Sequence, residues 1–150
     1  MAYVTREQAM TALFTLLQGA YAFGTTSRRP MTQANLPGTQ MPAMFLIDDD
    51  EDHKRASDAP PAVRTITCAA WIFTDTGQDP NATPATILNN IIDSIDPNSG
   101  GVLMPSQFQN GRLTLGNLVY DCWIEGKITK DPGVLGGNGF AHIPISIMLP

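Results

Sequence analysis

The sequence predicts an α+β domain: a mixed, mostly antiparallel four-stranded sheet with two helices packed on one face. Three observations predict it. Residues 10–21 and 87–95 repeat apolar side chains at helical spacing. Residues 41–48, 63–75, 117–129 and 140–149 read as strands bounded by turn residues. The order helix, hairpin, helix, hairpin suits strands that pair locally with helices segregated to one side. At 150 residues the chain reads as a single domain over 1–150, long enough for a real core and too short for two.

The first helix starts near Thr5, which has capping-box spacing to Gln8. Met10, Leu13, Phe14, Leu17 and Tyr21 mark its buried face, and Gly19 and Gly24 place its end near residues 18–23. Leu16 lies off that stripe, so the buried face is wide or a neighbour covers the other side. Residues 24–41 are polar and turn-rich and read as a long connection, a feature that in compact domains is often functional.

MPAMFLID (41–48) is a short apolar strand, and VRTITCAAWIFTD (63–75) is its partner. Between them lie the acidic run Asp48–Asp52, then His53, Lys54 and Arg55, and a pair of prolines. That arrangement reads as a hairpin with a long, projecting, solvated tip. Ile66, Cys68, Ala70 and Ile72 share one side of the second strand; Thr67, Ala69, Trp71 and Phe73 share the other. Both sides are apolar in its second half, which predicts cover on both faces there.

Thr83 and Pro84 open the second helix, with proline at the position it tolerates best. Ile87, Leu88, Ile91, Ile92 and Ile95 form its stripe, and Asp96–Pro97 ends it. A third long strand is expected over 117–129, preceded by a short one at 111–114. A glycine-rich turn, GVLGGNGF, leads into the last strand, FAHIPISIML. Pro144 lacks a ladder donor, so this strand is expected at an edge or with a local break.

Only 15% of the residues are charged, against about 25% in an average soluble domain. Much of the surface is therefore neutral, which suits a protein that meets neighbours. The net charge of −5 equals the contribution of Asp48–Asp52, and basic residues are not clustered elsewhere. This excludes a general nucleic-acid-binding surface, which needs grouped Lys and Arg. No basic-then-apolar leader and no run of about 18 apolar residues occurs, which predicts a soluble, cytoplasmic chain without a membrane span.

The chemistry-bearing residues form no catalytic pattern. Consecutive acids without an intervening glycine do not match a calcium loop. His53 and His142 have no second ligand at metal spacing. Cys68 and Cys122 sit inside apolar strands and read as buried, reduced thiols. No G-x-S-x-G elbow or phosphate loop is present. No catalytic, cofactor or metal site is therefore assigned. A small metal-dependent enzyme using the acidic run is the rival from another class.

The C-terminal third, LGNLVYDCWIEGKITKDPGVLGGNGFAHIPISIMLP, resembles the closing hairpin of tail terminator (tail completion, minor tail) proteins of long-tailed bacteriophages. The resemblance rests on Trp123, Ile124, Glu125, Gly126 and Ile128, then on Ala141, Ile143, Pro144, Ile145 and Ile147. About 35 residues match in detail, and the order of elements matches in outline. The resemblance implies a non-enzymatic virion protein: a homo-hexameric ring on the finished tail tube. Such a ring stops polymerisation, offers a surface to the head–tail connector and lets genomic DNA pass without specific binding. Assembly would take place in the host cytoplasm. A head–tail joining ring of the neck is the nearest alternative. In either ring, Asp48, Asp49, Asp50, Glu51 and Asp52 are expected at a subunit interface, meeting Arg28, Arg29 or Arg64 of a neighbour, or along the lumen.

Overall fold

The structure, a computed structural model, describes residues 4–31, 36–55, 63–75, 83–106, 111–132 and 138–149. The class is α+β, with two helices, α1 (Arg6–Gln18) and α2 (Pro84–Ile95), and six strands where four were expected. The strands are β1 (Thr25–Ser27), β2 (Ala43–Lys54), β3 (Val63–Asp75), β4 (Asp121–Ile124), β5 (Thr129–Asp131) and β6 (Asn138–Leu149). They form one mixed sheet in the order β1-β2-β3-β6-β4, with β5 also on β6. Among the described residues only the β1–β2 pair is parallel.

Each helix follows from its sequence signals. Thr5 accepts from the Gln8 backbone N–H at 3.1 Å, and the Gln8 side chain accepts from the Thr5 N–H at 2.8 Å. This reciprocal box satisfies two of the donors that a helix start leaves open. Thr83 stands at the N-cap of α2, but its side chain makes no capping bond. After α2 the chain turns so tightly that a Cβ on Gly101 would lie 2.3 Å from the Ile95 carbonyl carbon, a place only glycine fits.

The main core lies on one face of the sheet. Met44 and Leu46 of β2, the Ile66-Cys68-Ala70-Ile72 set of β3 and the odd-numbered Ile143–Leu149 set of β6 line it. Ala9, Met10, Leu13 and Leu17 of α1 and Leu88, Ile91, Ile92 and Ile95 of α2 belong to the same cluster. The opposite face carries a smaller cluster of Leu36, Ala43, Phe45 and Phe73, with Trp71 and Phe140 against it. Its rings meet edge-on or tilted, Phe45–Phe73 at 5.8 Å and Phe73–Phe140 at 5.3 Å, within the separations that aromatic pairs favour.

Four expectations change. The first concerns the long connection at 24–41. It holds a short strand, β1, in parallel register with Ala43–Phe45. The second concerns the acidic run, which is not a solvated tip: Asp48–Asp52 lie within β2, paired to β3 as far as Lys54–Val63.

The third concerns the long strand at 117–129, which is really two. β4 and β5 are parted at Gly126, whose φ of 105° admits little else. Residues 111–114 contribute only an isolated bridge, Ser106 to Arg112. The fourth concerns β6, which is interior, between β3 and the β4–β5 pair, and not an edge.

The placement of Pro144 explains how an interior strand tolerates it. The Pro144 carbonyl accepts from the Glu125 N–H at 3.2 Å, so that residue's backbone groups point away from β3. The missing donor falls at the gap between β4 and β5, where no ladder bond is lost. The break lies in the partner, not in β6. Residues 133–137, where the glycine-rich turn is expected, 56–62, between β2 and β3, and 76–82, between β3 and α2, lie outside the described residues.

Candidate functional site

The charged half of the β2–β3 hairpin holds the sequence-predicted residues. The β1–β2 pairing ends at Ser27↔Phe45, and Arg28, Arg29 and Pro30 follow. Among the described residues no strand pairs with the outer edge of β2 beyond Phe45. Residues 48–54 are therefore a mostly exposed edge whose strand pairing, among the described residues, is with β3.

A bulge sets which acids face which way. Asp48 pairs with Cys68 and Glu51 with Ile66, so two residues, Asp49 and Asp50, stand opposite Thr67. The extra residue resets the alternation. Asp48, Glu51 and His53 then share the side of the sheet that carries α1, and Asp52 and Lys54 share the other.

On the α1 side two arginines meet the carboxylates. The Arg6 guanidinium donates to both Glu51 oxygens, at 2.5 and 2.7 Å. Arg28 donates to Asp48 at 3.1 Å and also bonds Glu7 of α1. The His53 ring lies 2.5 Å from Glu51. Hydrogen bonds from Arg6 and then from His53 hold the Glu51 carboxyl at about 2, well below its ordinary 4.5. Forked arginine–carboxylate contacts of this kind fix geometry as well as charge.

Of the predicted residues, Asp48, Glu51 and Arg28 are brought together within one chain. Asp49, Asp50 and Asp52 are exposed and take no part in these bridges. Arg29 is exposed, with its backbone N–H donated to Ser27 Oγ at 3.0 Å. Arg64 stands opposite His53 on β3. Sequence reading missed Arg6, which lies 45 residues from Glu51, and Glu7, which lies 21 residues from Arg28. No local pattern signals such a pairing.

The whole region is charge-balanced. Six acids (Glu7 and Asp48–Asp52) stand with six bases (Arg6, Arg28, Arg29, Lys54, Arg55 and Arg64). The net charge of −5 therefore resides in the rest of the chain. A strongly negative arm, which the bare sequence suggests, is not what the fold builds.

Elsewhere the chemistry is quiet. Cys68 and Cys122 are free and buried. Burial pushes the Cys68 thiol up to about 12 and raises Cys122 as well, and Cys68 Sγ lies 3.5 Å from the Ile145 carbonyl oxygen. Neither forms a thiolate at neutral pH. Among the described residues no three His, Cys, Asp or Glu side chains converge as metal ligands. Ala12, Thr15 and Leu16 of α1 face Leu113, Leu115 and Gly116 across an open groove of about 330 Å³. Leu16 is half-buried there, packed against the main cluster together with Leu113 and Leu115. No helix among the described residues is long and apolar enough to cross a membrane. No protein-family model matches the chain, and no curated protein matches it.

Proposed function

We propose that this chain is a structural subunit that works by assembling with copies of itself: a tail-terminator-like protein whose hexameric ring caps a phage tail tube. In this role it ends tube polymerisation and presents the surface that joins tail to head, in the finished virion, without catalysis. The observation that carries the reading is the resemblance of the C-terminal third. The two segments that bear it lie side by side, with Trp123 opposite Ser146 and Ile124 opposite Ile145. The resembled family closes its fold with a strand pair of this order.

The charge balance of the hairpin favours one role for it over the other. A lumen that repels DNA needs net negative charge. An interface that sets register between subunits needs both signs in a fixed pattern. Counted with Glu7 and with Arg6, Arg28, Arg29, Arg55 and Arg64, the acids of the distal half of β2 are matched six against six, which suits an interface between subunits. Asp48, Arg28 and Glu51 are already engaged within the chain, so they shape that surface instead of seeking partners on a neighbour. The tube protein on one side and a head–tail connector on the other are the remaining partners of this reading.

Electron microscopy of the purified protein, alone and mixed with assembling tube protein from the same genome, tests the proposal. Six-fold rings at one end of length-limited tubes are expected. Tubes that grow as long with the protein as without it, and no ring under either condition, overturn it.

A further inference from the structure

We propose that two copies of this chain pair in solution through the open outer edge of β2, antiparallel and centred on His53. This inference concerns the free chain: it uses the half of β2 that the ring reading gives to a subunit contact, so the dimer parts before a ring forms. A two-fold contact joins the same patch on both partners and cannot by itself close a six-fold ring.

The edge itself is the first support. Its backbone groups beyond Phe45 have no strand partner among the described residues, and the segment 51–54 beyond the bulge is regular β-structure against β3. Such an edge is a template for another strand. Proteins ordinarily guard it with charge and with bulges, and both are present here. The order of the charges reverses that effect. Acids fill the first part of the edge and bases follow, in the run Asp50-Glu51-Asp52-His53-Lys54-Arg55. A strand that reads acid-then-base is complementary to its own antiparallel copy.

Geometry selects the register. Directly opposed residues in an antiparallel pair point to the same face. Under a two-fold axis perpendicular to the sheet, only registers centred on a residue keep faces matched. Centring on Asp52 sets two aspartates against each other and starts the ladder inside the bulge. Centring on His53 sets Asp52 opposite Lys54 of the second copy, twice, and uses only the regular stretch. Asp52 and Lys54 are both exposed and share the face away from α1, so the pairing leaves the Arg6–Glu51 bridge in place. The result is a continuous sheet across two molecules.

Charge exchange tests this directly. Sedimentation of the wild-type chain should show a dimer that weakens as salt rises. Asp52→Lys and Lys54→Asp each place like charges opposite one another and should weaken self-association at least about tenfold. An equimolar mixture of D52K and K54D restores opposite charge at both contacts and should give a one-to-one heterodimer. Both sites are exposed, and circular dichroism checks that each variant is folded. A wild-type chain that stays monomeric at its highest soluble concentration in low salt overturns the proposal, and this arm needs no variant. So does a mixture that associates no better than its components. Tube capping by the wild-type chain is a separate readout, so failure here leaves the ring reading to its own test.

Discussion

The two halves of β2 share one backbone and have opposite surroundings. From Ala43 to Leu46 every side chain is fully buried, between the main core on one face and the aromatic cluster on the other. From Asp48 to Lys54 almost every side chain is exposed, and Arg6 and Arg28 bridge to its carboxylates while β3 pairs with its backbone. The inner half is held by the volume it fills. The outer half is held by ladder bonds and by charge at its surface. The difference predicts where the strand is intolerant and where it is free to serve a partner.

Removing single residues from each half should break the comparison most sharply. Deleting Phe45 removes a fully buried ring and makes one side of the gap slip by a residue, so that either Met44 and Ala43 or Leu46 and Ile47 exchange faces. The expected outcome is loss of the cooperative thermal transition and of the near-ultraviolet signal of the tryptophans. Deleting Asp50 instead removes the bulge. Asp48 and Glu51 then oppose Cys68 and Ile66 without an extra residue, and both keep their faces. That variant should melt within about 3 °C of wild type, a shift worth only a small part of the total stability. A large loss in the second variant means that the bulge, not the core, organises the hairpin.

A smaller effect comes from truncation within the inner half. Leu46 is fully buried in the main core, and Leu46→Ala should cost about 2–5 kcal/mol in denaturant unfolding. Asp50→Ala at the exposed half should change stability by no more than about 0.5 kcal/mol. Equal costs at the two positions would remove the distinction between the halves.

The same division explains what the sequence disclosed. Both helices were legible because their stripes and end signals agree, down to the reciprocal bonds of Thr5 and Gln8. The inner strands were legible because burial on two faces leaves long apolar runs. The outer half of β2 reads as a loop because strand composition is the signal, and five acids in a row erase it. Nothing in the residues 48–51 announces a bulge, so strict alternation would have sent Glu51 to the wrong face. β1 is three residues of Thr and Ser, too short and too polar to stand out. The split between β4 and β5 turns on one positive φ at Gly126. The candidate site was half legible: its acids and Arg28 were visible, while Arg6 and Glu7 reach it only through the packing of α1 against the sheet.

Acid titration should give the smallest effect and separates charge from packing in the outer half. Glu51 ionises at about 2 in the folded chain, against 4.5 for an ordinary glutamate, mainly because of Arg6. A depressed folded value means that the unfolded chain takes up the proton first as pH falls. The stabilising contribution is therefore whole above about 4.5, shrinks as pH drops and is gone below about 2. Arg6 is more than half exposed, so solvent screens much of the pairing. Glu51→Gln should lower the melting temperature by about 1–3 °C at neutral pH. The gap between variant and wild type should close between pH 4.5 and 2, and Arg6→Ala should shrink that pH dependence to the part that His53 supplies. A gap that persists unchanged below pH 2 would mean that Glu51 acts through shape alone. The outer half would then be packed like the inner one, and its charge order would lose its meaning as a recognition pattern.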